Sequence, residues 1–364
     1  MPAVNTVLQD EAINHAHDLH RYAVGVIQRM QAVLNRADAS LMAKLTEALM
    51  QMEQSSFTVA RLEALLASVR TLNAQAYDAV MQALQPEMAG LAKVEAAAQK
   101  SQLVDAVPAQ VVVRFPIAGV TAGQVYAAAL SRPFQGRLLK DWGASLEASR
   151  MQMIRNTVRA GFVEGQTTAE IIQKIRGTRA LRYADGLLNR PRQELAAVVQ
   201  TALSHTAQTA RQATYDANAD LVKAVQWVST LDTRTSPMCR IRDGLKYTAD
   251  THKPIGHSIP WGDGPGRLHF NCRSVSVPVL KSWKELGIPA DEMSPGTRAS
   301  MDGQVPAEQT YAEWLAKQSA ARQDEIVGPE RGAMYRAGKV RFDQFYNDRG
   351  KWLTLDQLAA RSGA

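Results

Sequence analysis

At 364 residues, 46% hydrophobic and 21% charged, the chain has the composition of an ordinary globular protein long enough for two or three domains. No run approaches the roughly 18 apolar residues of a membrane helix, and charges at Asp10, Glu11, Asp18, Arg21 and Arg29 exclude a signal peptide. Two cysteines exclude a secreted disulfide framework and point to a cytosolic origin with reduced thiols, while the net charge of +7 suits a polyanion partner.

Before Pro86 glycine and proline are almost absent, and apolar residues recur at the three- and four-residue steps of a helix with one buried face. Leu8, Ala12, Leu19, Tyr22, Val26, Met30 and Val33 predict a first helix over residues 6–35. Leu41, Leu45, Leu49 and Met52 predict a second. Leu62, Leu65, Val69, Leu72, Ala76 and Val80 predict a third, from about Thr58 to Leu84. Pro86 and Gly90 weaken the pattern, after which an Ala-rich helix is expected to about Lys100. His15, His17 and His20 read as a solvated or packing face, because no cysteine or paired carboxylate accompanies them.

A boundary is expected near residues 101–110, where Pro108 precedes Val111–Phe115, a β-rich run that predicts a strand. Thr121 with Gln124, and Thr167 with Glu170, form capping boxes for helices ending near Leu130 and Gly177. Another helix is expected over about 144–160, and a long Ala- and Gln-rich one over 190–218. It feeds a strand at Val225–Ser229, and a second strand is expected at Ser274–Leu280. Asp243-Gly244, between Arg240 and Tyr247, is a two-residue hairpin signal. Residues 289–306 are rich in Pro, Gly and Ser and read as a surface-running arm, with helices resuming at about 311–320 and 328–337.

Charge is uneven. From Arg132 to Arg192 there are 12 Lys and Arg against 5 Asp and Glu, a surplus of +7, whereas the first hundred residues carry 8 against 10. Arg155, Arg159, Lys174, Arg176, Arg179 and Arg182 are therefore candidates for neutralising DNA phosphates without reading sequence. A solvated face with ion pairs, or an interface with an acidic protein, is the competing reading.

Residues 225–280 hold both cysteines and an ordered set of polar residues. D-x-R-T-S-x-x-C is followed by D-G-x-x-Y and H-x-N-C-R, supplied by Asp232, Arg234, Thr235, Ser236, Cys239, Asp243, Gly244, Tyr247, His269, Asn271, Cys272 and Arg273. Further on come W-L-A-K-Q from Trp314, I-V-G-P-E-R from Ile326 and W-L-T-L-D-Q-L from Trp352. This order resembles the Mu F-like phage head morphogenesis (minor head) proteins over residues 105–364. The family usually shows an acidic residue after a Thr in the long helix, where this chain reads Ser204-His205-Thr206, and many members have a cysteine at the place of Ser274.

The resemblance implies a helix-rich α+β protein. Periodicity gives an α-helical bundle or hairpin over 1–104, and the resemblance implies a mixed α/β core with a small sheet over 105–285 and an arm with short helices over 286–364. It implies a non-enzymatic role in head assembly, inside the capsid near the portal, after synthesis in the host cytoplasm. The implied partners are the portal protein, packaged double-stranded DNA whose ejection it could influence, and scaffold or major capsid protein.

Cys239, His269 and Cys272 carry the donor types that zinc prefers, and Asp232, Asp243 or His257 would have to complete a four-ligand shell. A disulfide and a hydrogen-bonded cluster without metal are the alternatives, the last leading. Asp232 and Arg234, alternating on an extended segment, read as structural ties to loop backbone, as do Thr235, Asp243, Gly244, Asn271 and Arg273. A zinc-dependent nuclease or a Cys239–His269–Asp232 hydrolase, and a non-sequence-specific DNA-binding protein, are the other functional classes.

Overall fold

The computed structural model describes residues 4–52, 58–288, 297–306, 308–347 and 350–362. The chain forms two compact units: Met1–His20, Leu91–Ala129 and Ser204–Ala364 make the first, Arg21–Gly90 and Leu130–Leu203 the second. The architecture is helix-rich α+β, as expected.

Helix α1 (Val4–Met50) is continuous where periodicity predicts two helices. No glycine or proline lies between Asn35 and Leu41 to break it, and Asp38 is buried there beside Arg150 and Arg192. After α2 (Val59–Leu65), α3 (Ala67–Ala106) runs through Pro86 and Gly90 instead of stopping. Gln82, Pro86 and Gly90 are all exposed, so the carbonyl left without a donor by Pro86 faces water. The expected strand at 111–115 is a helix, α4 (Ala109–Arg114). Only one face of it is covered, with Val111 fully buried and Val113 84% exposed, so packing overrides β-propensity.

The second unit also contains α6 (Leu139–Val163), which follows α5 (Ala122–Ser131) in the chain, and α7 (Thr168–Arg176). The expected Thr167–Glu170 capping box opens α7, and Gly177, at φ +89°, closes it. Leu41, Leu45, Leu66, Val69, Ile154, Val158, Ile171 and Ile175 form this unit's core.

In the first unit, the end of α8 (Asn189–Ala217) leads into an antiparallel sheet of order β3-β2-β1-β4. Its strands are β1 (Val222–Val228), β2 (Lys246–Thr248), β3 (Pro254–Ile255) and β4 (Val275–Leu280). Val225 is opposite Tyr247 on one side and Pro278 on the other. Pro278 is tolerated because β4 is an edge strand. Trp227, Tyr247, Trp261, Val225 and Val277 build the core together with Val4, Leu8 and Ala12 of α1 and Leu103 and Val111.

Asp243-Gly244 does not join two hairpin strands. The chain forms a helical turn, α9 (Pro237–Arg240), and the Gly244 turn then delivers it to β2. Residues 289–296 of the expected arm lie outside the described residues. Thr297–Ser300 and Gly303–Pro306 pair as strands β5 and β6. Four helices follow, α10 (Tyr311–Ala316), α11 (Ala320–Val327), α12 (Pro329–Arg336) and α13 (Leu355–Ser362), with a 3-10 turn at Phe342–Phe345. Leu231 is buried among Tyr311, Trp314, Leu315, Phe342, Phe345 and Tyr346.

Candidate metal centre and its surroundings

Ser229, just past β1, donates its N–H to Asp243 Oδ1 (2.7 Å) and its hydroxyl to the Cys239 carbonyl (3.0 Å). Asp243 Oδ2 accepts the first amide of α10, from Tyr311 (2.8 Å). One buried carboxylate therefore ties the end of the central strand to the start of a distant helix, where helical N–H groups lack partners of their own. Gly244 follows at φ +79°, and a Cβ there would come within 3.1 Å of Thr310, the cap of α10. Buried Arg240 lies over the Tyr311 ring (5.4 Å) and donates to the carbonyls of Ile326 (3.0 Å) and Thr233 (3.2 Å).

Asp232 receives both branches of the Arg273 guanidinium at 2.6 and 2.8 Å. It also accepts from the Arg234 N–H and the Thr235 hydroxyl, each at 3.0 Å. Burial raises its pKa, but the Arg273 bonds outweigh that and hold the carboxyl below its ordinary value. The Arg234 side chain, 80% exposed, approaches Asp232 only at 4.0 Å, a loose ion pair beside the tight one from Arg273. A turn, not an extended segment, carries both residues.

Cys239, His269 and Cys272 do come together. The sulfurs are 3.6 Å apart, and His269 Nε2 is 3.2 Å from Cys239 Sγ and 2.7 Å from Ser236 Oγ. Ser236 caps α9 and thereby orients Cys239, whose amide it accepts at 3.3 Å. Asn271, at φ +59°, takes the left-handed turn that asparagine tolerates better than most residues, and so returns Cys272 toward His269. His269 Nδ1 is 2.8 Å from the Phe270 carbonyl. A carbonyl only accepts, so Nδ1 carries the proton and Nε2 presents its lone pair to the sulfurs.

The hydrogen bond from Cys239, joined by His269 and opposed by burial, holds Cys272 well below the ordinary thiol value. The same bond and burial push Cys239 well up. Burial lowers the His269 pKa, but Cys272 and the Phe270 carbonyl outweigh it and leave the imidazole above its usual value. Among the described residues this is the one group of three or more His, Cys, Asp and Glu side chains with converging donor atoms.

The three residues considered as a fourth ligand are engaged elsewhere. Asp232 holds Arg273, Asp243 holds two amides, and His257 Nε2 donates to the Lys246 carbonyl at 2.9 Å. The hydrolase arrangement is also absent, because Asp232 grips Arg273 while His269 Nδ1 faces a backbone carbonyl. His15 pairs with Glu95 at 2.7 Å, away from His17 and His20, which are exposed.

Within the basic segment Arg150 is buried on Asp38 and faces no solvent. Arg192 shares Asp38, Arg155 is 3.4 Å from Glu63, and Lys174 is 3.5 Å from Glu164. Arg159, Arg176, Arg179 and Arg182 are exposed and, among the described residues, make no ion pair. Arg176 lies 5.2 Å from the Tyr183 ring.

Sequence reasoning passed over Ser229 and the part Ser236 plays beside His269. The S-P-x-C spacing, with Ser before Pro, was the available sign of a capped turn. His205 is a buried link, its Nε2 3.0 Å from the Ala129 carbonyl and its Nδ1 3.1 Å from Arg267. The family model described as Phage Mu protein F like protein matches residues 152–277, from within α6 to within β4. No curated protein and no solved structure matches the chain.

Proposed function

We propose, from the match of residues 152–277 to the phage Mu F-like family, that this chain is a minor head protein acting in phage head morphogenesis. In this reading it associates with the portal inside the capsid, and packaged double-stranded DNA lies within its reach. Scaffold or major capsid protein is a further partner of assembly.

The observation that supports the reading most is the bonding between the signature region and the later motifs. Asp243 of the signature bonds Tyr311, three residues before the Trp314 motif, and neighbouring Arg240 bonds Ile326, which opens the next motif, so the ordered motifs meet in one local structure. Arg159, Arg176, Arg179 and Arg182 are exposed, as residues that neutralise DNA phosphates must be. No helix among the described residues is long and apolar enough to cross a membrane.

Mass spectrometry of purified particles, from the phage whose genome carries this gene, tests the assignment. Peptides of the chain should be present in DNA-filled heads, and the chain should co-elute with portal protein when the two are co-expressed. Its absence from such heads would overturn the assignment, and hydrolysis of DNA or peptide by the purified chain would favour the enzyme classes.

A further inference from the structure

We propose that Cys239, His269 and Cys272 bind one zinc(II) ion, which clips the α9 turn to the loop preceding β4. This inference is independent of the head-protein reading. Zinc–sulfur bonds of about 2.3 Å meeting near the tetrahedral angle place two sulfurs about 3.8 Å apart, and a sulfur and an imidazole nitrogen about 3.6 Å apart. The observed separations are 3.6 Å and 3.2 Å. Two thiolates, a neutral imidazole and a divalent cation form a set with no net charge, which suits a site where both cysteines are 2% exposed.

The second observation is the imidazole's orientation. Zinc-binding histidines characteristically donate their other ring N–H to a carbonyl or carboxylate, and His269 does so to Phe270. Arg273, fixed by Asp232 and adjacent to Cys272 in the chain, adds positive charge that favours the thiolates. On binding, each cysteine thiol loses its proton to solvent and the imidazole contributes its Nε2 lone pair. The fourth position falls to a water or to Ser236, whose hydroxyl lies 2.7 Å from His269 Nε2.

The full-length chain, purified without chelator, should contain equimolar zinc by plasma mass spectrometry. Anaerobic cobalt(II) titration of the chelator-treated chain should give thiolate-to-cobalt charge-transfer absorption and the strong visible bands of a tetrahedral site. Cys272→Ser and His269→Ala should each weaken zinc binding by more than about 100-fold. Ser236→Cys, which adds a third thiolate, should tighten it. A weak octahedral cobalt spectrum in the wild-type chain would overturn the proposal whether or not the variants fold. So would a zinc-free isolate in which peptide mapping finds Cys239 linked to Cys272.

Discussion

Glu95 is 1% exposed, with His15 Nε2 at 2.7 Å and Gln99 at 3.3 Å. Burial raises its pKa, but the His15 bond, Arg211 and Gln99 together hold it below the ordinary carboxyl value of 4.5. A carboxyl depressed in the folded state contributes stability that is present above about pH 4.5 and disappears as pH falls toward the lowered value. Glu95→Gln should therefore cost about 2 kcal/mol at pH 7, since it replaces the buried carboxylate that His15 bonds by a neutral amide. Urea melts from pH 7 down to pH 3 should also show a shallower acid loss in the variant, and an unchanged midpoint at pH 7 would reject the role. The signature residues were legible because their types are unusual in sequence: Asn271 in a left-handed turn, Gly244 against Thr310, two cysteines and a histidine. Glu95 with His15 was not, because an ordinary acid and an ordinary histidine meet across 80 residues with no local pattern to announce it.

Helix α3 gives a direct test of element-scale reasoning, because its breakers did not break it. Gly90 is exposed and helical, and an added Cβ would meet nothing within 4 Å. Gly90→Ala should raise stability by about 1 kcal/mol, read as a higher urea midpoint at unchanged slope. No gain would mean that α3 is not helical through this point in solution. The capping boxes at Thr121 and Thr167 identified their helices because a cap is a local signal that carries its own geometry. Val111–Val113 misled, since β-branched residues favour a sheet only where a partner strand exists to receive them. The turn of α7 and the residues after it carry Arg176, Arg179 and Arg182, and binding of duplex DNA there should be indifferent to sequence. If about four phosphates are neutralised, log affinity should fall against log salt with a slope of roughly −3.6. Replacing the three arginines by alanine should weaken binding on every duplex alike and flatten that slope. Unchanged DNA affinity alongside lost portal binding would assign the face to protein docking.

For the whole molecule, the division at residues 104 and 285 remains a proposal about which pieces fold alone. A fragment of residues 1–102 should be strongly helical by circular dichroism, and a random-coil spectrum would reject the first boundary. The helical character of that region was plain from its periodicity, but the destination of its apolar stripe was not. Periodicity marks a buried face without naming what covers it. The compact units were unreadable for the same reason, because each gathers segments that lie far apart in the chain. One consequence concerns synthesis. Val4, Leu8 and Ala12 are made well before Trp227 and Val277, with which they share a core. At about 5–20 residues per second, those partners follow roughly 10–55 s later. During that interval the apolar stripe of α1 lacks its partners, so emergence of β4, not of the first helix, sets the moment when this core can close.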